Sequence, residues 1–328
     1  MTRHASRIPL LLLGVLAALL AAAPAGAQRD DAYPSRNLRI VLAYPPGGVS
    51  DLITRQFAQK LSESVGQSVI VDNRPGGNFV IASDVVAKSR PDGYTWYMVV
   101  DSTFTLNPLT ISKLSYDVER DFSPVSMVAL QTLFLVASAK APVKDFQDLL
   151  RYAKANPGKL SFGTSGFVNQ MVGERIKVAT GTNILHVPFK GSPPMLQALL
   201  AGDIDLSITT FTPYSTFVKE GRLRGIAVTG TDRVALVPDV PTLAELGFKD
   251  LSYRQWFALY TPAGVPKPVM ERILKETAKV LNDPDLKQRF VAAGVDAAPN
   301  SPAEMAAVVR NDKERWSKVI KAAGIKLE

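Results

Sequence analysis

The sequence has 328 residues, of which 46% are hydrophobic, and a formal net charge of +8. This length and apolar content suit a globular protein of two modest domains or one large domain. The complete absence of cysteine excludes disulfides, thiolate chemistry and a lipid-modified cysteine anchor, and because lysine and arginine form no dense run, no nucleic-acid partner is expected.

The N-terminal segment predicts a secretory signal peptide over residues 1–27. A basic start, MTRHASR, precedes a continuously apolar stretch from Ile8 to Ala23, and Ala25-Gly26-Ala27 supplies the small residues of a cleavage site. The apolar stretch is shorter than the roughly 20 residues of a membrane span. We therefore expect a periplasmic protein that begins at Gln28.

Short apolar runs alternate with amphipathic stretches, which is typical of βα units around a largely parallel sheet. In the first third, strands are predicted at LRIVLAY, SVIVDN and TWYMVV, and helices at 50–65 and 81–89. In the first helix Leu52, Ile53, Phe57 and Leu61 recur at helical spacing. Ser50 is predicted to cap this helix and Gly66 to end it.

A second set of βα units begins after Asp121. Its predicted strands are FSPVSMVAL, LFLVAS, LSFG, ILHVPF, IDLSIT and LRGIAVT. Its predicted helices are VKDFQDLLRYAKAN and the segments 170–179 and 194–201, which lie between these strands. The run SYRQWFALYTP then predicts a strand that leaves this unit, followed by helices at 269–281, 286–293 and 303–323.

This order predicts an α/β protein of two lobes. Because the C-terminal helices are too few for a third domain, we expect them to complete the first lobe. Lobe 1 is predicted to contain residues 28–130 plus 251–328, and lobe 2 residues 131–250. Clefts at the carboxyl ends of parallel strands are where α/β proteins bind small ligands.

The sequence offers little for catalysis, cofactors or metals. After signal-peptide removal the one histidine is His186, within a strand-like run that favours a hydrogen-bonded structural ring. No Walker loop or strand-following GxGxxG is present, and GTSG at 163–166 lacks the glycine that a nucleophile elbow requires. We expect no cofactor, no metal and no enzyme; a periplasmic enzyme would have to rely on Asp51, Asp205 and Ser165.

Residues 43–51, AYPPGGVSD, form the most informative turn. Prolines stiffen the exit of the first strand, and two glycines permit close approach of a ligand to the backbone before a helix begins. Free N–H groups at such a helix start bind anions. The segment is either half of a carboxylate site or only a tight βα turn. A second turn of small and hydroxyl residues, FGTSGFVNQ, follows the strand LSF and favours the first interpretation.

With these motifs, the sequence resembles the solute-binding proteins of tripartite tricarboxylate transport systems, called TctC-like or Bug proteins. The resemblance covers the whole mature chain and rests on ordered blocks such as AYPPGGVSD, VDNRPGGN, RPDGYT, NPGKLSFGTSG, HVPFKG, LLAGDIDLSI and FALYTPAGVPK. It implies a type II periplasmic-binding fold. Such a protein closes on a small carboxylated solute and delivers it to a transmembrane permease, and we expect it to act as a monomer.

The resemblance also implies which residues contact the ligand. Carried over position by position, they are Tyr44, Pro46, Gly47, Gly48, Asp51, Thr164, Ser165, Gly166, Lys190, Gly191 and Asp205. For Asp205 two roles stay open, a contact to a ligand amine or hydroxyl, or the orientation of loops.

The chain departs from the family where GNFVIAS replaces a glycine-rich stretch and where FVNQ is shorter than usual. Phe79 and Val80, and Phe167 and Val168, add bulk there. These side chains either line the cleft, which suits an aromatic or longer-chain carboxylate, or pack inside their own lobes. A sensor that presents its ligand to a membrane receptor is an alternative to transport.

Overall fold

The computed structural model describes residues 33–325, so the predicted signal peptide lies outside the described residues. The strands are β1 (Leu38–Leu42), β2 (Val69–Asn73), β3 (Thr95–Val100), β4 (Phe122–Thr132), β5 (Phe134–Ser138), β6 (Ser161–Thr164), β7 (Leu185–Pro188), β8 (Leu206–Thr209), β9 (Leu223–Val228), β10 (Arg254–Pro262) and β11 (Asp296–Ala297). The helices are α1 (Val49–Val65), α2 (Val80–Ala87), α3 (Asp101–Thr105), α4 (Asn107–Thr110), α5 (Val118–Asp121), α6 (Phe146–Ala155), α7 (Phe167–Thr180), α8 (Ser192–Ala201), α9 (Tyr214–Lys219), α10 (Lys267–Leu281), α11 (Pro284–Ala292) and α12 (Pro302–Ala323).

The first lobe is built on a six-stranded mixed sheet in the order β11-β4-β10-β3-β1-β2. Strand β1 runs parallel to both β2 and β3, whereas β10 runs antiparallel to β3 and β4. Successive residues of β1 face opposite sides of the sheet, because side chains alternate along a strand. Accordingly, Ile40 packs in one core with α1, and Val41 packs in another with Tyr97 and Phe104.

Helix α1 follows the predicted apolar pattern, with one correction at its start. Ile53, Phe57 and Leu61 are fully buried against the sheet, whereas Leu52 is exposed. Gly66 ends the helix in the left-handed conformation, as predicted. The predicted cap at Ser50 is wrong, because the helix begins at Val49 and Gly48 is its N-cap residue, without a side-chain hydrogen bond.

The second lobe is built on a five-stranded sheet in the order β7-β6-β8-β5-β9. Strand β6 runs parallel to β7 and β8, and β5 runs antiparallel to β8 and β9. One face of this sheet packs on α6 and α7, and the other face packs on α8 and α9. As in the first lobe, the parallel strands bring their carboxyl ends to one edge.

The chain crosses between the lobes twice, at the junction of β4 and β5 and between β9 and β10. Strand β10 returns to the centre of the first sheet, between β4 and β3. Helices α10 and α11 pack on α1 of the first lobe, whereas α12 packs on β4 and also on α7 of the second lobe. The predicted lobe boundaries at residues 130 and 250 stay a prediction. Within residues 33–325, no helix has both the length and the apolarity needed to cross a membrane.

Candidate functional site

A cleft of about 690 Å³ lies at the carboxyl ends of the parallel strands of both lobes. The first lobe contributes residues that follow β1, β2 and β3, and the second lobe contributes residues that follow β6, β7 and β8. Gln131 and Gln255 line it from the crossing segments. This is the position where ligands bind in α/β sheets.

The turn after β1 presents a helix N-terminus without a side-chain cap to this cleft. Tyr44, Gly48, Val49 and Ser50 line the cleft, and the first backbone hydrogen bond of α1 runs from the Leu52 N–H to the Gly48 carbonyl at 3.0 Å. Within the described residues, the three N–H groups from Val49 to Asp51 have no backbone or side-chain acceptor. They form the positive end of the helix dipole, which attracts an anion.

The turn after β6 repeats this arrangement in the second lobe. Ser165, Gly166 and Phe167 line the cleft, and Gly166 is the N-cap residue of α7, also without a side-chain hydrogen bond. The first backbone bond of α7 runs from the Gln170 N–H to the Gly166 carbonyl at 3.1 Å. The two helix starts, which have a glycine as N-cap residue and no side-chain cap, therefore border one cleft. We call them the glycine-capped pair, defined by Gly48 with α1 and Gly166 with α7.

Asp51 organises the first turn and does not line the cleft. Its buried carboxylate accepts hydrogen bonds from the Gly47 N–H (3.0 Å), from Arg55 Nε (2.9 Å) and from Asn73 Nδ2 (2.9 Å). Burial disfavours the charged form, but these hydrogen bonds outweigh it and lower the pKa of Asp51 below its usual value. The Gly47 N–H is thus already paired, so Gly47 and Asp51, which were both predicted to contact the ligand, bond to each other and do not line the cleft.

Five further predicted residues do not line the cleft, namely Pro46, Thr164, Lys190, Gly191 and Asp205. Asp205 immediately precedes β8 and accepts hydrogen bonds from the Ser161 N–H (2.8 Å) and hydroxyl (3.0 Å), so it lies at the opposite edge of the sheet. This geometry fits the loop-orienting role. Pro46 and Lys190 are exposed, and Gly191, at φ 105°, starts α8 ahead of the cleft residue Ser192.

Thr164 pairs with the only histidine in the described residues. Its Oγ1 lies 2.8 Å from Nε2 of His186, whose ring packs on Phe162 with centroids 5.0 Å apart. Burial lowers the pKa of His186 below its usual value, so the ring is neutral at pH 7. The structure therefore gives His186 the hydrogen-bonded strand position expected from the sequence.

Several polar residues of the cleft were missed by the sequence analysis. They come from α3 and α4, from the first turns of α7 and α8, from the crossing segments and from loops that follow strands: Asn78, Ser102, Asn107, Thr110, Gln131, Asn169, Gln170, Ser192, Thr210 and Gln255. Gln131 and Gln255 are directly opposite each other on β4 and β10. Their signal was visible, since each is an amide within a largely apolar strand, and a buried amide needs hydrogen-bond partners.

The cleft also has an aromatic side. Tyr44 and Phe79 pack with ring centroids 4.9 Å apart, and Phe167 and Phe257 line the same cleft. Burial raises the pKa of the Tyr44 hydroxyl far above its usual value, so this group remains a protonated donor. Val168 lines the cleft too, whereas Val80 packs in the core of its own lobe.

No charged side chain lines the cleft within residues 33–325. The buried carboxyl group of Asp101, next to the cleft residue Ser102, accepts hydrogen bonds from the Ser102 N–H (2.6 Å), from Gln255 Nε2 (3.3 Å) and from the Tyr253 hydroxyl. The same part of the chain contains no group of three histidine, aspartate or glutamate residues that could hold a metal ion. The cleft therefore offers neutral donors and helix dipoles.

The two lobes and the cleft between them define a binding protein of the periplasmic type. Residues 53–325 match the family described as the tripartite tricarboxylate transporter family receptor, and the chain belongs to this family. The expectation drawn from the sequence motifs is thereby confirmed.

Relatives in this family cover nearly the whole chain. The protein BugT of Bordetella pertussis is 32% identical over 97% of this chain and 98% of its own length. The structure of Rpa4515 from R. palustris with adipate is similar with a TM-score of 0.80, at 32% identity over 90% of this chain and 100% of that chain. MatC (Rpa3494) from Rhodopseudomonas palustris with bound malate has a TM-score of 0.75, at 25% identity over 88% of this chain and 100% of that chain.

Proposed function

We propose that this protein binds a small carboxylated solute in the cleft between its lobes and delivers it to the permease of a tripartite tricarboxylate-type transporter. The observation that carries the proposal is the glycine-capped pair: within the described residues, the first N–H groups of both helices have no protein acceptor and border one cleft. A carboxylate that bridges the two helix starts would stabilise the closed arrangement of the lobes.

The similar proteins support the same ligand class. Two similar solved structures, Rpa4515 and MatC, contain adipate and malate respectively, which are both carboxylates. Neutral donors suit a transported ligand, because an anion held by N–H groups can be released without separating an ion pair in a desolvated site. A periplasmic location and a monomeric state belong to this proposal as well.

We also propose that the protein has no catalytic activity. Ser165 Oγ lies 3.4 Å from Ser192 Oγ, whereas the imidazole of His186 pairs with Thr164. Asp51 and Asp205 are both engaged in structural hydrogen bonds. Within the described residues, no serine of the cleft therefore has a general base within hydrogen-bond distance.

The test is a panel of carboxylates and their uncharged amides, such as adipate and adipamide, with the mature protein. We expect carboxylates to raise the melting temperature and amides to leave it unchanged. A ligand at about 100 times its Kd stabilises the folded state by about 2.7 kcal/mol, which is a shift of several degrees.

Chromatography of the same mixtures should recover each carboxylate unchanged. A product formed by the protein would contradict the non-catalytic assignment. If amides and carboxylates stabilise the protein equally, anion recognition at the helix starts is wrong.

A further inference from the structure

The wall of the cleft beside Tyr44 contains a strained backbone segment. Asn78 and Phe79 have φ angles of 49° and 73°, and within residues 33–325 they are the only non-glycine residues with positive φ. A phenylalanine in this region pays a steric cost that a glycine would not. Such strain persists where the surrounding structure enforces it, and it is concentrated at functional sites.

Hydrogen bonds from separate elements hold this segment in place. Asn107 Nδ2 donates to the Asn78 carbonyl at 2.6 Å, the Phe79 N–H donates to the Gly76 carbonyl at 3.0 Å, and Ser83 Oγ donates to the Phe79 carbonyl at 3.0 Å. Because the backbone is fixed on both sides, the direction of the Phe79 side chain is fixed as well.

The strained backbone presents an aromatic ring to the ligand cleft. The Phe79 ring lies 4.9 Å from the Tyr44 ring at an interplanar angle of 45°, and it also packs on core residues of the first lobe. Phe167 lines the cleft from the second lobe, next to the start of α7. Phe79, Tyr44 and Phe167 form what we call the aromatic wall. It lies beside the glycine-capped pair, so a ligand with its carboxylate at the helix starts would place its body against these rings.

We propose that the aromatic wall selects carboxylates whose body is an aromatic ring, with Phe79 as the specificity-determining residue. This inference rests on the proposed carboxylate-binding function. Aromatic rings prefer offset or edge-to-face contacts, and such pairs add attraction beyond the burial of apolar area. A flexible aliphatic diacid gains no such contact and loses more conformational freedom on binding.

Benzoate and cyclohexanecarboxylate are matched probes, since they differ in aromaticity and hardly in size, and adipate is the aliphatic reference. By calorimetry, the wild-type protein should bind benzoate more tightly than either other probe. Phe79→Gly should weaken benzoate binding about tenfold and change adipate binding little. Phe79→Leu, which keeps bulk and loses the ring, should also weaken benzoate binding.

The ligand-free protein provides an independent readout. Because glycine accepts φ 73° without a steric cost, Phe79→Gly should melt higher than Phe79→Ala, which loses the same ring contacts and keeps the strained backbone. Leu185→Ala, at an exposed position of β7, is the control that should change neither property.

Three outcomes would overturn the proposal. Tighter binding of adipate than of benzoate by the wild type would assign the cleft to aliphatic acids. Equal losses of affinity for all three probes in Phe79→Gly would show that the ring maintains the shape of the cleft and does not select among ligands. A lack of binding by every carboxylate would instead reject the proposed function, and the specificity would fail with it.

Discussion

Replacing Gly48 with valine is expected to lower the affinity for the carboxylate ligand by about ten- to hundredfold for each N–H contact that is lost. A hydrogen bond to a charged group contributes roughly 1.5 to 3 kcal/mol, and 1.4 kcal/mol corresponds to a factor of ten. Valine at this position would place two methyl groups beside the unpaired N–H groups of α1 and hold the carboxylate away from them.

The fold should tolerate this substitution. Gly48 has φ −85° and ψ 174°, which any residue can adopt, and a Cβ at this position would have no other atom within 4 Å. The fold therefore does not require glycine at position 48, and we expect its role to be in ligand binding. At Gly47 it is conformational, because φ is 96° there.

Calorimetry and thermal melting together check the result. Lys219→Ala, at an exposed position in the last turn of α9, is the control and should bind like the wild type. If Gly48→Val retains the wild-type affinity with an intact fold, the turn after β1 does not bind the carboxylate. Gly166→Val, where the nearest atom to a new Cβ is Asn169 Oδ1 at 3.8 Å, tests the second helix start in the same way.

The second large effect is expected in the pH dependence of stability, through Asp101. This carboxyl group is fully buried. Burial, with a smaller contribution from nearby Asp312, raises its pKa to about 7 despite hydrogen bonds from Tyr253 and the Ser102 N–H. In the unfolded chain the pKa is about 3.9. Between these values the unfolded state is ionised while the folded state keeps its proton.

The sign of the effect follows from proton linkage. Because the folded state binds more protons in this range, the contribution of Asp101 to stability is fully present below about pH 4 and is lost as the pH rises towards 7. Each pKa unit is worth about 1.4 kcal/mol, so the loss is on the order of a few kcal/mol. Asp51 and other carboxylates with lowered pKa act in the opposite direction, as their contribution is lost when the pH falls.

Comparison with Asp101→Asn isolates the contribution of Asp101. Asparagine cannot ionise, and its side-chain oxygen can still accept a hydrogen bond from the Tyr253 hydroxyl or the Ser102 N–H. In urea unfolding, the free energy of unfolding of the wild type minus that of the variant should be larger at pH 5 than at pH 8. The same difference at both pH values would contradict the raised pKa.

Much of the fold follows from local patterns in the sequence. Apolar spacing predicted the last residue of α1, α10 and α12 correctly. It placed the first residue of each of these helices within two residues of its observed position. The return of β10 to the first sheet was predicted because SYRQWFALYTP precedes helices that could not form a separate domain. Periodicity and glycine carry this information locally.

The short helices α3 and α4 could not be predicted in this way. The segment DSTFTLNPLT contains phenylalanine and several threonines, which favour strand, so its local preference opposes the observed structure. Burial among the first-lobe core residues decides its conformation, and with it the positions of Ser102 and Asn107. Pro108 was the one local signal for a helix in this segment, because proline is typical of a helix start.

The sequence predicted those site residues that lie in turns directly after strands. It missed the residues that only the tertiary structure brings to the cleft. Gly48 and Gly166 follow parallel strands, so their common edge could be inferred. Asp205 precedes its strand, and the same rule would have placed it at the opposite edge. The positive φ of Phe79 carries no sequence signal, because it depends on hydrogen bonds from Asn107 and Ser83.

A crystal structure with the most tightly bound carboxylate of the panel tests the central claim most directly. We predict that the carboxylate oxygens accept hydrogen bonds from N–H groups in the first turns of both α1 and α7, with no lysine or arginine within ion-pair distance. A carboxylate paired with a cationic side chain, or bound outside the cleft between the lobes, would contradict this account.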